Sequence, residues 1–333
     1  GPHRARRPDA GRLSMLCGRG TFVDERVFAD ALTGCVIAVS ADGGAARVVE
    51  GRPVGDAPSV FFPGCSLVNY APALVSVLAD YLEGTGIAQG VSLLCCGKIL
   101  DFEEGGAARR DTIDGKMREA FLRAGVRRIV AACPNCAAAL RRALDAPGAP
   151  DVEVVPLPRA LADAGCRIDE GAIARTLEAK GLSCDGGARL WVHDSCPDRG
   201  AYGFGGGMRE LLPASALVEE NLKPASRCCG STARAAGRFE AALSQGARRA
   251  DEAASCGADA LVCGCMSCAA SLTMAQEALP VVHYLEFLCE YPMDWRALAR
   301  PMALRFLLEG RAASEGEDGR SFIDLASDAE AGR

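Results

Sequence analysis

The chain has 333 residues, 49% hydrophobic, with a net charge of −6, which allows two domains with separate cores and excludes an electrostatic footprint for nucleic acid. No apolar run nears the roughly 18 residues of a membrane span, and the opening Gly1-Pro2-His3 reads as a tag remnant rather than a signal peptide, so a cytoplasmic protein is expected. The 17 cysteines, an odd number in a chain with ample apolar sequence, argue against a small secreted disulfide scaffold and for metal thiolates in a reducing compartment.

In chain order, residues 1–57 form a segment of no assignable role, with a strand candidate at Val36-Ile37-Ala38-Val39 and Gly/Pro/Asp punctuation from Gly51 to Pro58 that reads as a linker. Residues 58–165 form a first domain: an apolar run Val60-Phe61-Phe62, a helix over Ala71 to Leu82, a helix over Asp111 to Ala124, the run Arg128-Ile129-Val130, a helix over Ala137 to Leu144 and the run Val152 to Val155. Residues 166–186 join the halves. Residues 187–292 repeat the order with Leu190-Trp191-Val192, helices over Met208 to Leu212 and Phe239 to Ala254, the run Ala260-Leu261-Val262, a helix over Ala269 to Leu279 and Pro280-Val281-Val282. Residues 293–333 read as a C-terminal helix and a mobile acidic tail with a short Phe322-Ile323-Asp324-Leu325 patch.

The repeat is sharpest in the cysteines. Cys65, Cys95-Cys96-Gly97 and Cys133-Pro134-Asn135-Cys136 recur as Cys196, Cys228-Cys229-Gly230 and Cys265-Met266-Ser267-Cys268, at offsets of 131 to 133 residues. Each half reads as four strands alternating with three helices. That pattern implies an α/β fold of two pseudo-symmetric Rossmann-like halves, each a small parallel sheet with helices, and all ten repeated cysteines fall at the carboxyl ends of strands, where such sheets gather ligands.

Thiolate is a soft ligand that selects zinc, copper(I) or iron–sulfur. A helix starting behind Cys-x-x-Cys offers open amides and a positive dipole end to the charge gathered there. Adjacent cysteines on a regular strand point to opposite faces, so Cys95-Cys96 and Cys228-Cys229 converge only through a sharp bend, which Gly97 and Gly230 are suited to make. Five cysteines per half exceed the four that a structural zinc or an ordinary cubane takes.

On these motifs, across residues 60–290, the sequence resembles the cysteine-rich CCG-domain family, whose best-known member is the CCG-containing component of the heterodisulfide reductase of methanogens. The resemblance implies two non-cubane four-iron clusters, one held by Cys65, Cys95, Cys96, Cys133 and Cys136 and the other by Cys196, Cys228, Cys229, Cys265 and Cys268, reducing a disulfide or disulfide-like acceptor by one-electron steps. It also implies partner subunits, a flavoprotein or ferredoxin-like electron donor and peripheral membrane association through a partner. Other members of the family serve flavin dehydrogenases for lactate, glycolate or glycerol phosphate, some with zinc in one half. An electron relay between such a dehydrogenase and a quinone, or a structural zinc protein, therefore stands beside the reductase reading. Ferredoxin-type cubane motifs are absent, since Cys17 and Cys35 have no Cys-x-x-Cys partners.

Smaller signals are read conservatively. Cys263 is taken as a small buried residue, and Cys17, Cys35, Cys166, Cys184, Cys256 and Cys289 as bystanders. His193 and His283, at strand ends of the second half, are taken to satisfy local hydrogen bonds and stay outside the ligand set. Lys98 and Asp198-Arg199 read as solvated loop charges, and Gly203-Phe204-Gly205-Gly206-Gly207 as a flexible cover that lacks the P-loop ending. No Ser/His/Asp set, His-Glu-x-x-His or paired-carboxylate pattern suggests hydrolysis.

Overall fold

The computed structural model describes residues 25–32, 34, 36–40, 46–48, 55–102, 104–184, 187–200, 203–218 and 227–297. Cys17, Cys35, the Phe322–Leu325 patch and nearly all of the expected C-terminal helix and tail lie outside these residues. The chain divides into two compact units, with Pro156 closing one and Leu157 opening the other.

The first unit begins with an antiparallel meander, β1 (Glu25–Ala29), β2 (Val36–Ser40) and β3 (Ala46–Val48), which takes in the expected strand at Val36. A parallel sheet follows in the order β4 (Ser59–Phe62), β5 (Arg128–Ala131), β6 (Glu153–Pro156). Val60, Phe61, Phe62, Ile129, Val130 and Ala131 are all fully buried, as expected of parallel strands covered on both faces by their crossover helices. Those helices are Gly64–Tyr70, Pro72–Gly84, Gly106–Arg123 and Pro134–Leu144. Pro72 and Pro134 open theirs, where a missing N–H and a preset φ cost nothing.

The meander is tied to the cysteine-bearing loop. Asp30, 1% exposed, accepts hydrogen bonds from the amides of Leu32 and Leu93, and Ala31 N–H donates to the Val91 carbonyl. The N-terminal segment thereby fixes the approach to Cys95-Cys96.

The second unit contains the helices Leu157–Asp163 and Glu170–Ala179 and a second parallel sheet, β7 (Leu190–His193), β8 (Ala260–Cys263) and β9 (Val281–His283), in that order. Its further helices are Gly203–Leu211, Ser231–Ala235, Phe239–Ser255, Met266–Ala275 and Tyr284–Cys289. Trp191 is buried beneath the Arg249 guanidinium, 4.2 Å from its ring centre. Glu286, fully buried, pairs with Lys180 at 2.8 Å and accepts from His283 N–H, Met293 N–H and Trp295 Nε1–H.

Three expectations are corrected. Among the described residues each parallel sheet has three strands, not four, with isolated bridges of Val91 to Phe61 and Asp30 and of Leu217 to Leu190. Two adjacent side chains that must share one site cannot ride on a pleated strand. The strand match also shifts by one residue, because β4 and β7 each end three residues before their cysteine, so Phe62 corresponds to His193 rather than to Val192. Finally, the glycine-rich run is not a flexible cover but the first turns of the helix Gly203–Leu211. A Cβ at Gly207 would sit 2.5 Å from the Arg159 backbone nitrogen and one at Gly205 2.0 Å from Asp194 Oδ1, so these glycines allow close packing.

Among the described residues no single helix is long and apolar enough to cross a membrane, and the apolar pair Gly64–Tyr70 and Pro72–Gly84 is bent by 117°.

Candidate metal centres

The five cysteines of the first half meet in one row. Cys65 lies in the first turn of the helix Gly64–Tyr70. Gly64 before it has φ +75°, and a Cβ there would come 2.8 Å from Cys136 Sγ, so only glycine lets this turn close on the site. Cys133 is the N-cap of the helix Pro134–Leu144 and Cys136 lies in its first turn. Cys95 and Cys96 sit on the irregular segment between them, both buried, and Gly97 turns the chain with φ 65° while its N–H points to Cys95 Sγ at 3.4 Å. Cys136 Sγ is 3.3 Å from Cys96 Sγ. Thiol contacts run in the order Cys65, Cys95, Cys96, Cys136, Cys133.

The second half repeats the row as Cys196, Cys228, Cys229, Cys268, Cys265. Gly230, φ 92°, makes the same turn, with its N–H 3.4 Å from Cys228 Sγ. Its space is tighter, since a Cβ would come 2.2 Å from the Ala242 carbonyl oxygen. Cys265 caps the helix Met266–Ala275 as Cys133 caps its own. None of the described cysteines is joined in a disulfide.

The rows are electrostatically unsettled without a cation. In the first, hydrogen bonds from Cys136 and Cys95 hold the Cys96 thiol well below its ordinary range, while Cys95 and Cys136 are pushed well above theirs, first by contact with neighbouring thiols and then by burial. In the second, Cys228 is held down by Cys196 and Cys229, Cys196 rises through its contact with Cys228, and Cys229 is pushed up to about 12, first by Cys228. Cys268 rises through contact with Cys229 and Cys265. Buried thiolates repel one another and lack water. A metal centre removes that conflict, and five sulfurs on two helix starts and one bent loop fit one.

The two sites differ in the layer at the carboxyl ends of their strands. Register pairs Phe62 with Ala131 and Ala131 with Pro156 in the first half, but His193 with Cys263 and Cys263 with His283 in the second. His193 is fully buried, and neither ring nitrogen has a hydrogen-bond partner among the described residues. An unmet buried polar group costs about 1–3 kcal/mol. A ligand atom of His193 lies within 4.8 Å of the sulfurs of Cys229 and Cys268. Burial, then the Arg249 charge, lowers its pKa to about 4, so the ring is neutral near pH 7. The expectation that His193 satisfies local hydrogen bonds is therefore overturned.

His283 differs: its Nδ1 accepts the Leu285 amide at 3.4 Å in a capping box with Glu286, and the ring lies beside the Gly264 backbone, with burial lowering its pKa to about 3. Cys263 is fully buried, and its thiol is pushed up first by burial. Cys166 and Cys289 are buried in the core, while Cys184 and Cys256 are half-buried.

The polar residues near the motifs have structural partners. Lys98 pairs with Asp101 at 2.5 Å. Asp198 is not solvated: it is 3% exposed and accepts from Phe204 N–H and Gly205 N–H, capping the glycine-rich helix. Sequence reasoning missed three contributors. Asp194 is held by Arg209 through two bonds at 2.8 and 3.0 Å, Ser195 Oγ is 3.7 Å from Cys268 Sγ, and Gly64 gives the clearance described above. The signal for Asp194 and Ser195 was only their adjacency to Cys196.

The family model described as cysteine-rich domain, CCG, matches residues 59–141 and 190–273, just over half of the chain, and its two segments contain the two cysteine rows. No curated protein matches the chain. With both matched segments folded as parallel-sheet units that gather five thiols, the chain belongs to the cysteine-rich CCG domain family and carries the domain twice.

Proposed function

We propose that the protein is an iron–sulfur redox subunit similar to the CCG-containing component of heterodisulfide reductase, with one four-iron, non-cubane cluster in each cysteine row, reducing a disulfide or disulfide-like acceptor. The observation that carries this reading is the same five-sulfur row in both halves, one thiol more than a zinc or cubane site takes. When bound, such clusters supply single electrons, and a disulfide takes two electrons and two protons to give two thiols.

The chain's own residues set access and orientation. Cys96 and Cys136 are buried while Cys65 and Cys133 are half-buried, so the first row is open at its two ends. In the second row Cys229, Cys265 and Cys268 are buried and only Cys196 and Cys228 are half-buried, which leaves one approach. The Gly97 and Gly230 amides donate to Cys95 and Cys228 sulfur and neutralise part of the charge there. Electrons come from a flavoprotein or ferredoxin-like partner subunit.

A second reading places zinc in the second half and leaves the first as an electron relay for a flavin dehydrogenase. The His193, Cys229 and Cys268 group favours it, because zinc accepts mixed nitrogen and sulfur sets. Iron, acid-labile sulfide and zinc measured on protein purified without oxygen separate the readings. About eight iron and eight sulfide per chain support two four-iron clusters. Zinc with half that iron supports the relay, and zinc without sulfide overturns the redox function.

A further inference from the structure

We propose that His193 is a nitrogen ligand of the metal centre in the second half, joining Cys229 and Cys268, so that this centre is a mixed sulfur–nitrogen site while the first is ligated by sulfur alone. The inference rests on the reading that a metal occupies the second row, and holds whether that metal is iron or zinc.

Three independent observations carry it. The His193 ring is fully buried with both nitrogens unpartnered among the described residues, a condition that ligation relieves at one nitrogen. A nitrogen of the ring and the sulfurs of Cys229 and Cys268 lie within 4.8 Å of one another, while Cys229 and Cys268 already belong to the five-thiol row. The third is the repeat itself. The strand end that presents His193 three residues before Cys196 presents Phe62 three residues before Cys65, so the first site has no donor at this position. Imidazole is a ligand for both iron and zinc, and its placement at a strand end on a buried sheet holds it rigidly.

The chain has three histidines, His3, His193 and His283, which makes selective labelling decisive. The full chain is produced with histidine carrying heavy nitrogen, purified without oxygen and assayed for metal. If the second half holds iron, pulsed electron paramagnetic resonance during stepwise reduction is expected to show a directly bound imidazole nitrogen. If it holds zinc, X-ray absorption at the zinc edge is expected to show a nitrogen shell beside sulfur. Either signal is lost in His193→Phe, which copies the first half's Phe62, and retained in His283→Asn, which keeps a helix-capping side chain.

The wild-type spectrum decides even if a variant fails to fold. Iron in both halves with no nitrogen coupling overturns this inference and leaves the cluster reading intact. Zinc with a nitrogen shell sustains the inference while the two-cluster reading fails. A signal that survives His193→Phe, or a second half without any metal, overturns it.

Discussion

The two cysteine rows share an order of sulfurs, a glycine turn and a helix start, yet they rest on different layers. Beneath the first lie Phe62, Ala131 and Pro156; beneath the second lie His193, Cys263 and His283. The half with the apolar layer has its half-buried thiols at both ends of its row, and the half with the polar layer has them at one end. The comparison teaches that the five thiols and their backbone geometry are the shared part of the repeat. The chemistry around them is set by residues one layer down, at positions the cysteine motif does not specify.

The largest effect expected is loss of one centre at a time. Cys96→Ala should empty the first row and Cys229→Ala the second, each halving iron and sulfide per chain. Loss from both halves after either change would show that the rows do not bind independently, and the comparison would fail.

Acid should next separate the halves. His283 has its pKa lowered from 6.5 to about 3 by burial, so the unfolded chain binds its proton first as pH falls. Stability from this group is complete above about pH 6.5, declines as pH drops and is gone below about pH 3, a span on the order of 3–5 kcal/mol. The first half has no histidine between residues 59 and 141. Urea midpoints of metal-free protein at about pH 7 and about pH 4 should therefore fall steeply with acid and less so in His283→Asn; equal slopes would remove His283 as the cause.

The two glycine turns should respond unequally. Gly97→Ala meets Ile113 Cγ2 at an ordinary 3.6 Å and costs about 1 kcal/mol for its left-handed backbone alone. Gly230→Ala meets the Ala242 carbonyl oxygen at 2.2 Å, and its cost should reach about 3 kcal/mol. Thermal unfolding of the two variants measures the gap, and equal losses would contradict the difference in clearance. Last is Asp30→Ala, which leaves the Leu93 amide without its acceptor and should cost about 1–2 kcal/mol. Faster hydrogen exchange at Leu93 would confirm that the meander steadies the first row, and unchanged exchange would remove that role.

The cysteine repeat and the parallel halves were legible because spacing in the chain maps onto strand ends in the fold. Gly97 and Gly230 were legible for a local reason, since two adjacent cysteines facing one site demand a turn. Asp30 was not, because its partner Leu93 is 63 residues away and no pattern links them. His193 was visible as a residue and misread as an environment. An apolar strand match one residue out of step set it beside no counterpart, and only the register exposed Phe62 in its place. The glycine-rich run misled because glycine marks flexibility and close packing alike, and the approach of Arg159 decides which.

The Glu286 carboxylate has a further consequence for motion. It ties Lys180, at the end of one helix, to Met293 and Trp295, more than a hundred residues later in the chain. Opening either segment alone would strand a buried charge, so the two should open together as one cooperative unit and their amides should exchange at a common rate. Lys180→Met should break that shared rate into two, giving the second half a seam where it now has a latch.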